Sequence, residues 1–365
     1  MQIQSRFLMV SLAVGASAHS FGQWTVTQLP LNNVSSGIAY GCNSSSQVGS
    51  VVPPNGQDRA IIWHGAGSTV DLHPTGARFS SADDCTNDIQ VGYADFGANA
   101  NAGYWRGTSP SWVNLHPIGF QSSSIDATDG DQHVGTAFRN GSIYAGLWDT
   151  TGSFTNLSPF IPLAFANDVS NGVQVGGYGD VNLIRACRWN GTAESFVDVH
   201  PVGYHRSSLA AIDGTNFVGS AGRSTEWDHA VLWKSDGTFV DLHVDRFELS
   251  RAIDAEHDIQ IGYVGDHCFG GGYYSECTQA GFWRGSKESW HSLHQYLPTH
   301  YSTSQAKAIF ADESGITIVG FAINDQLSRI DPIMWHSPVP EPSTLLICSL
   351  GASALALRRK VKASR

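Results

Sequence analysis

The chain reads as short apolar runs separated by polar turn residues, and the runs repeat. A Val-Gly or Ile-Gly pair recurs at Val48-Gly49, Val91-Gly92, Val134-Gly135, Val175-Gly176, Val218-Gly219, Ile261-Gly262 and Val319-Gly320. Successive glycines stand 43, 43, 41, 43, 43 and 58 residues apart. A tryptophan follows each pair: Trp63, Trp105, Trp148, Trp189, Trp233, Trp283 and Trp335. Eight or nine residues later comes a third mark, such as Asp71-Leu72-His73-Pro74 or Asp198-Val199-His200-Pro201. A small, polar segment such as Ala82-Asp83-Asp84 or Ala166-Asn167-Asp168 precedes the pair. Each unit thus holds four strand-like segments, for example Ser81–Asp84, Gln90–Tyr93, Ala102–Trp105 and Trp112–Leu115, with turn residues between them.

Four strands in about 43 residues, seven times over, predict an all-β fold: a seven-bladed β-propeller of four-stranded blades. A solenoid is the alternative, but it needs capped ends. Here the seventh unit has Trp335 and lacks the strand that should follow it. The segment Trp24-Thr25-Val26-Thr27-Gln28-Leu29-Pro30 matches Trp112–Pro117 and supplies that strand from the N-terminal side. The ring is expected to close by pairing it into the last blade, which removes a sheet edge. The small segment is read as the inner strand, followed by the Val-Gly strand, whose glycine lets the neighbouring sheet approach. Each tryptophan is an apolar anchor between sheets, and the recurrent Asp or Asn suits an Asx-turn.

Composition agrees with many tight turns: 39 glycines and 11 tryptophans, with only 15% charged residues. Coiled coils and disordered chains need more charge. The ends change the electrostatics. Arg6, the apolar run from Phe7 to Val14 and Ala16-Ser17-Ala18 have the order of a cleaved secretory signal over residues 1–18. An uncleaved anchor is the alternative, though the run falls short of the about 20 residues needed to span. At the other end Pro340-Glu341-Pro342 precedes an apolar run from Leu345 to Leu357 and a basic tail with Arg358, Arg359, Lys360, Lys362 and Arg365. Without residues 1–18 and 338–365, 15 Lys and Arg face 31 Asp and Glu, a net charge near −16 rather than −11. Nucleic acid is therefore not an expected partner.

Export permits disulfides. Cys268 and Cys277 share one insertion and form the best pair. Cys42 and Cys85 hold the same place in adjacent repeats and form a second expected pair. Cys187 is left as a small buried residue, and no C-x-x-C spacing occurs.

The three-part C-terminus resembles the PEP-CTERM sorting signal of exported bacterial proteins. That resemblance implies an exosortase-type sorting enzyme as partner, cutting near Pro340, Glu341 and Pro342. It also implies transient membrane contact through the apolar helix, and delivery to the cell surface or extracellular space. An ordinary C-terminal anchor is the alternative. The repeat pattern, as in Asp228-His229-Ala230-Val231-Leu232-Trp233, resembles the extracellular HAF-repeat proteins over residues 24–336, although most units lack the His-Ala-Phe core. That family brings architecture and address, and no established activity. The domains are then a signal peptide at 1–18, a propeller at 19–337 and the sorting signal at 338–365.

The histidines of the third mark (His73, His116, His200, His243, His294) sit on different blades and cannot converge on one metal, so repeated structural hydrogen bonds are expected. The series Asp84, Asp126, Asp168, Asp213 and Asp254 is read as turn caps that could also line a channel. Asp126–Asp131 is only faintly like a calcium loop. No metal and no cofactor are expected. The irregular parts are the better ligand-binding candidates. The inserted loop from Gly265 to Thr278 carries His267, Phe269, Tyr273 and Tyr274, and the loops into the inner strands bring Tyr204, Arg206 and Tyr301. No nucleophile elbow, P-loop or zinc-protease motif occurs. The expected function is a non-catalytic binding or structural module, in its sharper form one for extracellular polysaccharide or matrix. The alternative is a lyase or hydrolase acting at the channel mouth.

Overall fold

The computed structural model describes residues 23–338, apart from 55, 98, 181–182, 225–226 and 271–272; the side chains of 268–270 and 273–276 are also left undescribed. Seven four-stranded antiparallel sheets form from the seven repeats. Blade 2 is typical, with strands Phe79–Thr86, Ile89–Asp95, Ala100–Trp105 and Val113–Asn114 running from the axis outwards. The inner strands contact one another in cyclic order, and that of blade 7 (Tyr301–Asp312) meets that of blade 1 (Ser36–Cys42). No α-helix occurs among the described residues.

The ring closes as the repeat arithmetic requires. Thr25–Gln28 is the outer strand of blade 7 and pairs antiparallel with Arg329–Pro338, Val26 opposite Trp335. The first and last strands of the fold therefore lock each other, and the sheet edge is covered.

Every repeat tryptophan packs between its own blade and the one before. Trp105 of blade 2 lies in a cluster with Val48, Ile62 and Leu72 of blade 1, and Trp335 lies with Ile261, Phe282 and Leu293 of blade 6. Six of the seven anchors are fully buried, and Trp233 is 8% exposed. Three indoles reach the outer strand region of the preceding blade: Trp63, Trp148 and Trp233 donate Nε1–H to the carbonyls of Pro30, Leu115 and Val199. Burying one such side chain contributes several kcal/mol relative to a cavity, so each anchor is about as costly to lose as a core phenylalanine.

The expected disulfide between Cys42 and Cys85 is absent; both are buried free thiols, as is Cys187. Equivalent residues of a ring point in the same rotational sense. The Cys42 thiol lies 3.9 Å from the Thr317 carbonyl in blade 7, and Cys85 bonds toward Ser46 in blade 1. Each faces the preceding blade, so the two do not face each other. Burial pushes both thiols up. Cys277 is disulfide-bonded, while the side chain of Cys268 lies outside the described residues. The insertion that holds them is a strand extension rather than a loop: Ile259–Gly270 and Tyr273–Trp283 pair along their whole length.

Candidate functional site

The lining of the axial channel follows from a packing constraint. Each inner strand skips one residue against its neighbour: between Ala39 and Gly41, Ala82 and Asp84, Ile125 and Ala127, Ala166 and Asp168, Leu209 and Ala211, Ala252 and Asp254, and Ala306 and Ala308. These are β-bulges, which leave one residue unpaired and re-aim its side chain. The repeat glycine faces the bulge. A Cβ on Gly92 would stand 2.1 Å from the Ser81 carbonyl oxygen, and one on Gly176 2.0 Å from that of Phe165. The close approach expected for these glycines is therefore to the bulged strand of their own blade, not to a neighbouring sheet. The seven bulged residues are Tyr40, Asp83, Asp126, Asn167, Ala210, Ile253 and Lys307, and all line one axial cavity of about 300 Å³.

The carboxylates of this region fall into separate sets. Asp84, Asp168 and Asp254 stand one place after the bulge and reach into the next blade. Their Oδ2 atoms accept the backbone N–H of Thr128, Ile212 and Ile309 at 2.9, 2.8 and 2.9 Å. They are clamps between blades, which corrects the Asx-turn reading. Asp126 belongs with Asp83 as a bulged residue. Asp213 lies two places past Ala211 and accepts from the N–H of Asp258. Enclosure by protein disfavours the charged forms of Asp83, Asp84, Asp126, Asp168 and Asp254. It pushes Asp83 and Asp84 up to about 7 and Asp126 and Asp254 up to about 6, and it raises Asp168 as well. Asp126 and Asp84 raise Asp83 further. Lys307 brings a cation to the same ring, its Nζ donating to Gln305 Oε1 at 3.0 Å.

The loops into the inner strands and the hairpins joining second and third strands share one face, the mouth. There Asp228 is held between two guanidiniums. Arg206 Nε donates to Oδ1 at 2.6 Å, and Arg251 Nη2 lies 3.0 Å from Oδ2. These residues line a cavity of about 320 Å³ with Phe165, Ile184 and Ser208. Ala210 and Ile253 line both this cavity and the axial one. Phe165 also lines a third cavity, of about 480 Å³, with Tyr93, Phe138 and Ile143. Beside Asp228, Trp227 is 54% exposed and stacks on His267, ring centres 3.9 Å apart and planes 27° apart. Glu248 fixes that residue: its Oε2 accepts the His267 backbone N–H at 3.0 Å and lies 3.2 Å from the ring Nδ1.

The other sequence candidates are placed differently. His267 and Arg206 lie at the mouth, whereas the side chains of Phe269, Tyr273 and Tyr274 lie outside the described residues. Tyr301 is 6% exposed with its hydroxyl donating to Asp331 at 2.8 Å, so it is a core residue. Tyr204 packs against Phe239 under the guanidinium of Arg223. Pro340, Glu341 and Pro342 lie outside the described residues.

The repeated histidines bond within the fold. In blades 2, 3 and 5, His73, His116 and His200 place Nε2 about 3 Å from the carbonyls of Ala77, Phe120 and Tyr204, and Nδ1 on the hydroxyls of Ser80, Ser123 and Ser207. A carbonyl only accepts, so Nε2 carries the proton and Nδ1 accepts from serine. Those serine oxygens accept in turn from Ala60, Ala102 and Ala186 N–H. Asp129, in the calcium-like stretch, accepts from Asp131 and Gln132 in a tight turn. Among the described residues no three His, Cys, Asp or Glu are grouped to hold a metal ion.

Trp227, Asp228, Arg251, Glu248 and Phe165 are mouth residues that the repeat pattern does not single out. Trp227 did carry a signal. Of the four tryptophans outside the anchor set, Trp24 is buried, and Trp112 and Trp290 pack at a tilt against Trp105 and Trp283 with ring centres 4.4 Å apart. Trp227 alone of the eleven is exposed.

A family model for the PEP-CTERM protein-sorting motif matches residues 338–360. That motif is the recognition signal for exosortase processing and indicates export with sorting to the cell surface or extracellular space. No helix among the described residues is long and apolar enough to cross a membrane. No curated protein matches the chain by sequence. Similar solved structures include a prolyl endopeptidase (11% identity, TM-score 0.53, covering 83% of this chain and 49% of that one). A puromycin hydrolase is similar at 10% identity and TM-score 0.52, covering 85% and 55%. Acylaminoacyl peptidase of Pyrococcus horikoshii is similar at 10% identity and TM-score 0.51, covering 89% and 54%. The chain spans about half the length of these structures, and at such identities the likeness shows the fold alone.

Proposed function

We propose that this chain is an exported propeller that binds an extracellular polysaccharide at its mouth and performs no chemistry on it. In this reading residues 1–18 direct export, 19–337 form the propeller, and 338–365 are handed to an exosortase-type enzyme after transient membrane contact. The observation that carries the binding role is Trp227, an exposed aromatic face held rigid beside a cavity with aromatic and charged walls. Sugar rings present apolar faces that stack on such an indole, and a few fixed polar groups then set orientation. Affinity electrophoresis of the purified protein through a panel of polysaccharides tests it. At least one polysaccharide is expected to retard the protein, and Trp227→Ala to abolish the retardation. Free migration through every polysaccharide would refute the proposal.

A second reading is supported by one observation. Asp83 and Asp126 line the axial cavity with pKa values raised to about 7 and about 6, the range in which a carboxyl serves as general acid or base. New chain ends released from a polysaccharide by the protein, and lost in Asp83→Asn, would favour this reading over simple binding.

A further inference from the structure

A repeat makes departures from it visible, and blade 4 departs at the residue before its tryptophan anchor. In the other six blades that residue is apolar or aromatic: Ile62, Tyr104, Leu147, Leu232, Phe282 and Met334. Each packs in one cluster with the anchor of the next blade, as Ile62 does with Trp105. In blade 4 it is Arg188. The seam between blades 4 and 5 stays open there as a cavity of about 490 Å³, and Trp233 is the one anchor not fully buried. A second departure shapes the wall. In blades 1, 2, 4 and 6 a glutamine stands opposite the anchor, and its Oε1 accepts a turn N–H. In blade 5 that place belongs to Phe217, opposite Trp233, and Asn216 Oδ1 accepts the turn N–H of Ser235 instead. The cavity therefore has an apolar back of Ile212, Phe217 and Trp233 and a rim with Arg188 and Lys234, both half-buried. Among the described residues no carboxylate lines it, and neither cation forms an ion pair. Asp236 is exposed outside it; bonds from Thr238 hold that carboxylate below its usual range, with a weaker pull from Lys234.

From this placement we infer a second binding site, on the face opposite the mouth, for a small aromatic carboxylate. Its ring packs against Phe217 and Trp233, and its carboxylate meets Arg188 and Lys234. Guanidinium and carboxylate are planar partners that pair through parallel, charge-assisted hydrogen bonds. Aromatic rings in contact gain beyond the area they bury. An apolar pocket of this size with a few fixed polar groups is the usual form of a small-molecule site. The site is separate from the mouth and does not rest on the polysaccharide reading.

The test is calorimetric titration of the purified protein at pH 7 with naphthoate and with naphthamide, which has the same shape and no charge. Naphthoate is expected to bind at least tenfold more tightly. Arg188→Leu is expected to erase that preference, and leucine already fills this place in blades 3 and 5 as Leu147 and Leu232. Lys234→Gln, at the rim, is expected to lower the preference in part, and it gives the same test should Arg188→Leu disturb the seam. Equal affinity for the two compounds, or binding of neither, overturns the inference. A preference for naphthoate that survives both substitutions overturns it as well, because the carboxylate would then be held elsewhere.

Discussion

At the residue scale, the repeat glycine and the inner-strand bulge are one device. The glycine has no Cβ because a carbonyl of the inner strand, two residues before the bulged one, occupies its place, and the bulge turns a side chain into the channel. Adding the methyl in Gly92→Ala forces a contact of 2.1 Å with the Ser81 oxygen. Overpacking of this kind costs about 1–3 kcal/mol. Denaturant unfolding of Gly92→Ala is therefore expected to show a lower midpoint, and an unchanged midpoint would contradict the paired reading. The histidine relay has a comparable value. His200→Ala leaves the Ser207 hydroxyl and the Tyr204 carbonyl without their imidazole partner. An unsatisfied buried polar group costs about 1–3 kcal/mol. Unfolding experiments should show that loss, with polysaccharide binding unaffected.

At the element scale, the blades are held by two kinds of tie, tryptophans outside and aspartate clamps near the axis. The clamps make stability depend on pH. The carboxyls titrate near pH 4 in an unfolded chain. In the fold Asp84 and Asp254 titrate near 7 and 6. Between these values the native state binds more protons, so stability falls as pH rises from about 4 to about 7. Thermal melting should accordingly show a higher midpoint at pH 5 than at pH 8, at roughly 2–4 °C per kcal/mol for a chain of this order. Asp84→Asn, which removes one ionisable clamp, should flatten the slope; a midpoint rising from pH 5 to pH 8 would contradict the account. The sequence showed the strands plainly, because Val-Gly, Trp and Leu-His print the same constraint in blade after blade. It hid the bulges, because a one-residue skip leaves no mark in composition. Asp84 and Asp126 look alike along the chain and both line the axial cavity, yet one clamps a neighbouring blade and the other is the bulged residue of its strand. The Cys42–Cys85 pairing failed for a related reason: equivalence in a repeat fixes the place of a residue and also makes both copies point the same way round.

At the scale of the whole molecule, ring closure was legible in a strand missing at one end and spare at the other. Removing residues 24–30 reopens the edge of Arg329–Pro338 and uncovers Trp335. The shortened protein is expected to aggregate or melt well below the full chain, as measured by light scattering on heating. The mouth was less legible. Arg206 and Asp228 belong to blade 5 and Arg251 to blade 6, so the three meet only once the two blades pack side by side. The path of the chain also orients the molecule. Thr25 pairs with His336, so the fold is entered and left on the face opposite the mouth. Pro338, the last described residue and the first of the matched sorting motif, stands on that opposite face.

The central claim is that the mouth is the working end, and hydrogen–deuterium exchange of the purified protein with and without a polysaccharide that retards it in affinity electrophoresis tests it most directly. The account predicts slowed exchange confined to the mouth, in the amides of the segments around Arg206, Trp227–Asp228, Glu248–Arg251 and His267. Protection centred on the opposite face, around the turns at Asn87, Asp129 and Asp258, or no protection anywhere, would contradict it.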